Sequence, residues 1–296
     1  SKGSMSLRPP LMPQRFYPFI FVILWASAFI SAKYGLMGAG PFSFLFTRFL
    51  IVSAIFGVMV LVMRRDWPDR QTILPTMIAG MLMHGVYLGG VFYAISKGTP
   101  SGIASLIVSI QPLLTALLAL SLLSEKVRGL QWLGIVLGMI GVGLVVTPRL
   151  GGEIPTIGLI SCLVAVSAMA IGTILQKRYV GGIDLVMGNF LQAIAASLFY
   201  GVLLMTVETY HLTWTLEVTL AMIWIVATVS IGAVTILMLL IRSGQMAATS
   251  SLFFMVPPVS AVMGYIAFGE VLGVAGIIGF IVASIGVWLV NKPQTR

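Results

Sequence analysis

PLLTALLALSLLSE (residues 112–125) and PPVSAVMGYIAFGE (residues 257–270) decide how this chain is read. Each runs from a proline through an apolar stretch to a glutamate, and they stand 145 residues apart. The same offset pairs Lys33 with Arg178, Tyr34 with Tyr179, Lys97 with Arg242 and Ser105 with Ser250. It continues through Gly134 with Gly279, Gly141 with Gly286, Leu144 with Leu289 and Val145 with Val290. Apolar matches arise by chance in an apolar chain, but charges and prolines in register point to an internal duplication.

Outward from those stretches the chain is apolar almost throughout. Of 296 residues 59% are hydrophobic and 8% charged, with a mean hydropathy of +1.08. A soluble domain carries about 25% charged residues, so lipid is the solvent this composition suits. A helix needs about 20 apolar residues to cross a bilayer. Candidate spans are 16–37, 42–63, 72–96, 101–123 and 129–147, then 156–177, 185–206, 218–241, 246–268 and 271–290. The runs are continuously apolar and lack the alternation of a membrane barrel, so strands are not expected. The fold class expected is therefore an all-α integral membrane protein of ten transmembrane helices.

Basic residues set the orientation. With the N-terminus inside, Lys2, Arg8, Arg15, Arg64, Arg65, Arg70, Lys126, Arg128, Lys177, Arg178, Arg242, Lys292 and Arg296 fall on the cytoplasmic side. Only Lys33, Lys97 and Arg149 fall outside, while Arg48 lies within a span. Positive charge concentrates on the cytoplasmic side of membrane proteins, which places both termini there. Five spans per half is an odd number, so the second half enters the membrane inverted. The expected division is a cytoplasmic segment 1–15, a first repeat 16–147, a linker 148–155, an inverted repeat 156–290 and a cytoplasmic end 291–296. Ser1 to Ser4 precede Met5 and read as an expression scar, and no cleavable signal is expected. The +9 balance comes from these orientation signals rather than a basic stripe, so no nucleic-acid partner is expected. Cys162 is alone, which excludes an internal disulfide.

Inverted repeats are an architecture of carriers that hold substrate near the midplane. Counting the helical rise, Trp25, His84, Gln111, Ser167 and Pro257 fall roughly 13–18 Å into their spans. His84 and Tyr87 share a helix face, as do Ser105 and Ser109; Ser27 and Ser251 extend the polar set. His84 is the only histidine within a span, which makes it a site candidate; the plainer alternative is a neutral imidazole bonded to a neighbouring helix. Arg48, about 10 Å from the outer end of its span, either snorkels to the interface or binds a substrate carboxylate. Lys33 is expected to snorkel. Trp132, Trp214, Trp224 and Trp288 stand near span ends and are expected to be interfacial anchors. Pro112 and Pro257 are expected inside helices, as hinges or static bends. No Asp or Glu lies at mid-depth, which favours facilitated movement over ion coupling.

Three stretches carry a family resemblance. Leu24-Trp25-Ala26-Ser27-Ala28-Phe29 followed by Lys33, and Pro41 through Arg48, resemble the first two spans of the EamA-like branch of the drug/metabolite transporter superfamily. Gln111-Pro112 to Glu125, echoed by Pro257-Pro258 to Glu270, resembles its repeated proline-to-glutamate pattern. The resemblance covers residues 16 to 290 and implies a ten-helix carrier of small organic metabolites, closest to the aromatic amino-acid exporters. The second half departs from the first by having Ala193 opposite Arg48, so any ligand role of that arginine is one-sided.

The function expected is export or facilitated movement of amino acids, aromatic or otherwise apolar, by alternating access through a central cavity. The setting is an inner or plasma membrane. The partners expected are a small-molecule substrate and the lipid bilayer, with the chain acting as a monomer. A same-fold carrier of another metabolite or drug, or a channel, is the alternative. No Walker A pattern is present, so no ATP is expected to be used. Neither an HExxH motif nor a serine–histidine pair within reach is evident, so no enzyme, cofactor or metal is expected.

Overall fold

The computed structural model describes residues 16–122, 126–180, 182–233 and 255–292, with helices and no strand among the described residues. Ten helical spans follow one another: α1 (Tyr17–Gly35), α2 (Pro41–Val62), α3 (Arg70–Ser96), α4 (Ser101–Leu122) and α5 (Gly129–Val146). The second set is α6 (Thr156–Tyr179), α7 (Leu185–Thr206), α8 (Leu216–Ala233), α9 (Val256–Phe268) and α10 (Val274–Asn291). Seven of them are long and apolar enough to cross a membrane unaided; α1, α9 and α10 are shorter apolar helices. In lipid every backbone group must find its partner within the chain, and helices meet that demand segment by segment. The sequence spans 218–241 and 246–268 are described only over their α8 and α9 portions.

The ends are set by local chemistry. Pro41 opens α2, where its missing N–H costs nothing. The first turn of α2 is held from outside: Glu208 accepts from the backbone N–H groups of Phe42 (3.3 Å) and Ser43 (2.8 Å). Asp184 caps α7 and Thr215 caps α8 through side-chain oxygens. Gly269, in the left-handed region at φ 67°, ends α9, a conformation that glycine adopts without steric cost.

The helix pairings obey a twofold relation. The 145-residue offset carries α2 onto α7 and α5 onto α10, and both of these mates pack against each other. Pairs that are not mates come in related couples: α1 packs on α9 as α6 packs on α4, and α3 packs on α6 as α8 packs on α1. The α5–α10 pairing is the most extensive in the bundle. A methyl group on Gly134 would stand 2.6 Å from the Gly286 carbonyl oxygen, and one on Gly279 would stand 2.7 Å from that of Gly141. These two contacts are images of one another under the offset. Glycine is required here because the backbones touch.

Three of the described spans are interrupted, α8 by a π stretch over Ile225–Ala233 that the 145-residue offset relates to the one in α3. In α3 the α-helical ladder gives way to a π turn over Met81–Val86, which holds His84. Such turns often accompany functional sites because they re-aim side chains. In α4 the helix breaks at Ser109 and Ile110, just before Pro112. Pro112 offers no N–H to the carbonyl of Val108, which is the local reason for the break. Pro257 lies in the first turn of the described part of α9.

Candidate functional site

The π turn of α3 faces α7. His84 Nε2 lies 3.2 Å from Gln192 Oε1 on α7, and Gln192 Nε2 donates to Gln176 Oε1 on α6 at 2.8 Å. Because the Gln192 amide nitrogen is spent on Gln176, its oxygen is left to accept, and His84 Nε2 carries the proton. The Tyr200 hydroxyl, two turns along α7, reaches back to the carbonyl oxygens of His84 (2.6 Å) and Gly85 (2.7 Å). The π turn frees backbone carbonyls from the regular ladder, and the single Tyr200 hydroxyl proton is shared between two of them.

Aromatic rings surround this chain of hydrogen bonds. Phe49 on α2 stacks on Tyr200 (ring centres 6.0 Å apart) and tilts against the His84 ring (5.7 Å). Phe199 meets Tyr200 edge-on at 5.4 Å, and Phe42 stacks on Tyr93 at 5.9 Å. Next to Phe49, Arg48 is 5% exposed and turned into the bundle rather than out to the interface. One guanidinium nitrogen donates to the Ser230 hydroxyl on α8 at 3.3 Å, and the group lies over the Phe49 ring at 5.1 Å. Its Nε has no hydrogen-bond partner among the described residues. The result is a buried cation beside a neutral relay of two amides, an imidazole and a phenol. Such a set can hold an anionic group at one end and a planar apolar group against the rings.

Of the residues singled out in the sequence, Arg48 and His84 are gathered around α7. Tyr87 is one turn from His84 on α3 and 5% exposed. The others serve different seams. Ser27 on α1 donates to the Leu24 carbonyl and accepts from Trp224 Nε1 at 2.9 Å, joining α1 to α8. Trp224, expected as an interfacial anchor, is thus tied to a polar group of the bundle. Trp25 stacks on Phe21 along α1. Gln111 donates to Thr115 (2.8 Å) and to Thr173 on α6 (3.4 Å). Ser109 closes the break in α4 by donating to the Leu106 carbonyl. Ser105 is 1% exposed, and its hydroxyl has no partner among the described residues. Ser167 is exposed and bonds the Leu163 carbonyl of its own helix. Ser251 lies outside the described residues.

Gln192, Gln176, Tyr200 and Ser230 were not singled out. Gln192 and Gln176 are amides within apolar runs, a signal of the same kind as Gln111. Tyr200 and Ser230 carry no such signal, because single tyrosines and serines are common in membrane helices.

A second polar centre stands at the end of the bundle where α1 and α9 finish and α4 begins. Lys33 does not snorkel: its Nζ is 2.9 Å from Glu270 Oε1, and it lies over the Phe268 ring. The Glu270 carboxylate also accepts from the backbone N–H of Ser101 (3.0 Å) and Gly102 (3.3 Å) and from the Ser101 hydroxyl. It therefore caps α4 and pairs with α1 from the loop after α9, clasping three helices. Burial alone would raise the Glu270 carboxyl. The bonds from Lys33 and Ser101 outweigh it and hold the carboxyl below its ordinary value. A cleft of about 410 Å³, lined by Pro100, Ile103, Ala261, Glu270, Leu272 and Phe280, opens beside this clasp rather than over the α7 cluster.

Comparison with known proteins agrees with this architecture. A solved crystal structure superposes with a TM-score of 0.64 at 17% identity, covering 93% of this chain and 95% of that one, a likeness of fold. The chain is 24% identical to the uncharacterized transporter YvbV of Bacillus subtilis (strain 168), over 92% of this chain and 90% of the relative. It is 27% identical to the uncharacterized inner membrane transporter YedA of Escherichia coli (strain K12), over 86% and 82% of the two chains. A probable amino-acid metabolite efflux pump of Salmonella typhimurium is 30% identical over 55% of this chain and 53% of its own length. The EamA-like transporter family matches residues 16–147 and again 156–292, once for each half of the twofold bundle, and the chain belongs to that family.

Proposed function

We propose that this EamA-like membrane transporter moves amino acids with apolar or aromatic side chains, exporting them or letting them equilibrate, by alternating access between its two inverted halves. The observation that carries this reading is the cluster of Arg48, His84, Gln192, Gln176 and Tyr200. It sets polar groups among aromatic rings inside a largely apolar bundle. Buried polar groups in a membrane protein are costly unless they are used, and substrate contact is one such use. The name of the Salmonella relative, an amino-acid metabolite efflux pump, supports the same class of substrate. In this reading the chain works as a monomer in the inner or plasma membrane, with both termini cytoplasmic and without ATP.

Movement is facilitated rather than ion-driven, because no carboxylate of the described spans lies at mid-depth. The test is counterflow in proteoliposomes loaded with unlabelled phenylalanine, leucine or alanine and challenged with labelled phenylalanine. Saturable exchange that prefers one enantiomer, with the same rate with and without a proton gradient, is the expected result. A non-saturating conductance would replace the carrier with a channel, and absence of exchange for every amino acid would remove the substrate class.

A further inference from the structure

We propose that Arg48 is the group that binds the substrate's carboxylate, and that the substrate is recognised by that carboxylate and its apolar side chain rather than by its ammonium. This rests on the reading that the α7 cluster holds the substrate. The guanidinium is 5% exposed, yet among the described residues it has one hydrogen bond, to Ser230 at 3.3 Å, and its Nε has none. The ion pairs among the described residues are Lys33–Glu270, Arg65–Asp184 and Arg149–Glu153, so Arg48 faces no carboxylate among the described residues. A buried cation without a counter-ion is unstable relative to one that acquires it, and a planar carboxylate matches the guanidinium edge. Phe49 and Tyr200, both buried and stacked beside Arg48, set that charge in an aromatic, apolar surrounding that suits an acid with an aromatic or branched side chain.

Among the described residues the ammonium has no corresponding partner. His84 donates to Gln192, Gln192 donates to Gln176, and the Tyr200 hydroxyl is spent on backbone carbonyls. No Asp or Glu stands among these residues, and Arg48 itself repels a second cation. An acid that lacks the ammonium therefore fits the same place, whereas an amine that lacks the acid does not. The substrate class is monocarboxylates bearing an apolar side chain, with α-amino, α-keto and α-hydroxy acids among them.

The experiment uses the full chain in detergent and in proteoliposomes, with phenylalanine, phenylpyruvate, phenyllactate, phenylethylamine and phenylalanine methyl ester. The three acids are expected to raise the unfolding temperature of the purified chain and to compete with labelled phenylalanine in counterflow. The amine and the ester are expected to do neither. Arg48→Gln should raise the half-saturation concentration for phenylalanine at least tenfold with the maximal rate kept, and Arg48→Lys should recover part of the loss. Where Arg48→Gln fails to insert, the ligand series on the wild-type chain decides alone. Stabilisation by the acids only, without any exchange, sinks the carrier reading and keeps this one. Exchange in which the amine or ester competes as well as the parent amino acid keeps the carrier and overturns this proposal. An unfolding temperature that none of the acids moves overturns it too.

Discussion

Lys33, half-buried, and Arg48, buried, both carry a positive charge into an apolar bundle, and the fold treats them in opposite ways. Lys33 meets a carboxylate at 2.9 Å, and that carboxylate also caps α4, so every partner comes from the chain. Arg48 is more deeply buried and meets one hydroxyl. A buried charge that is fully paired is complete without a ligand and holds its helices together. One left short of partners keeps a place in the fold only if packing elsewhere supports it, and shortfalls of that kind gather at functional sites. The Lys33–Glu270 clasp therefore reads as structure and the α7 cluster as binding.

The strongest test of that contrast is to remove each cation without removing its bulk. Arg48→Met should weaken phenylalanine binding about 100-fold, which is about 2.7 kcal/mol, as read in counterflow half-saturation. Its unfolding temperature in detergent should stay level or rise by about 2–4 °C, since an unpaired buried charge leaves with it. A drop of several degrees would make Arg48 a brace between α2 and α8, and the contrast would collapse.

His84→Ala is expected to lower the counterflow rate about tenfold while the protein still inserts and purifies as wild type. The substitution leaves the Gln192 oxygen without its donor. His84→Gln restores an amide hydrogen to that oxygen and should recover part of the rate. Wild-type rates in His84→Ala would reduce the imidazole to a helix tie, making it the same kind of feature as the clasp.

Much of the fold was legible in the sequence because lipid imposes one rule along the whole chain. Each span must be apolar for its full length, and the limits expected for α2, α6 and α7 fall within two residues of those observed. The twofold was legible in Lys33/Arg178, where the charge survives in both halves, and in Pro112/Pro257 and Glu125/Glu270, where the residue does. Pairing between elements was not. Lys33 and Glu270 are 237 residues apart, and only the packing of α1 on α9 brings them together. The π turn around His84 was hidden as well, because Met81–Val86 has a composition that suits an ordinary α-helix. For the site, being ionisable within a span singled out Arg48 and His84, with mid-depth adding to the case for His84. Gln192 adjoins Ala193, the position aligned with Arg48, and its own counterpart across the repeat is Thr47, so no matched amide marks it.

Glu270→Gln should act on stability rather than on affinity. It keeps an acceptor for Ser101 but removes the charge facing Lys33, at a cost of about 1–3 kcal/mol. Lys33→Met should cost less, since the Lys33 side chain is 34% exposed against 14% for Glu270. The double substitution should be less destabilised than the sum of the two, measured by chemical unfolding in detergent. Strict additivity would mean that the two groups do not interact, and the clasp would lose its meaning. A changed half-saturation for phenylalanine in either single variant would place the clasp in the binding site.

The smallest effect expected is one of pH, and it isolates the Glu270 carboxylate without touching Arg48. Its carboxyl is held below its ordinary 4.5, so the folded state binds that proton more weakly than the unfolded chain does. The stability it contributes is complete above 4.5 and is lost as pH falls through the lower folded value. The gap in unfolding temperature between wild type and Glu270→Gln should therefore be constant at neutral pH and should narrow on acidification below the ordinary carboxylate range. Arg48→Met offers the control, because a guanidinium does not titrate in that range and its difference from wild type should not change there. A wild-type advantage over Glu270→Gln that grows on acidification would reverse the sign of the linkage, and the ion pair with Lys33 would no longer account for the clasp.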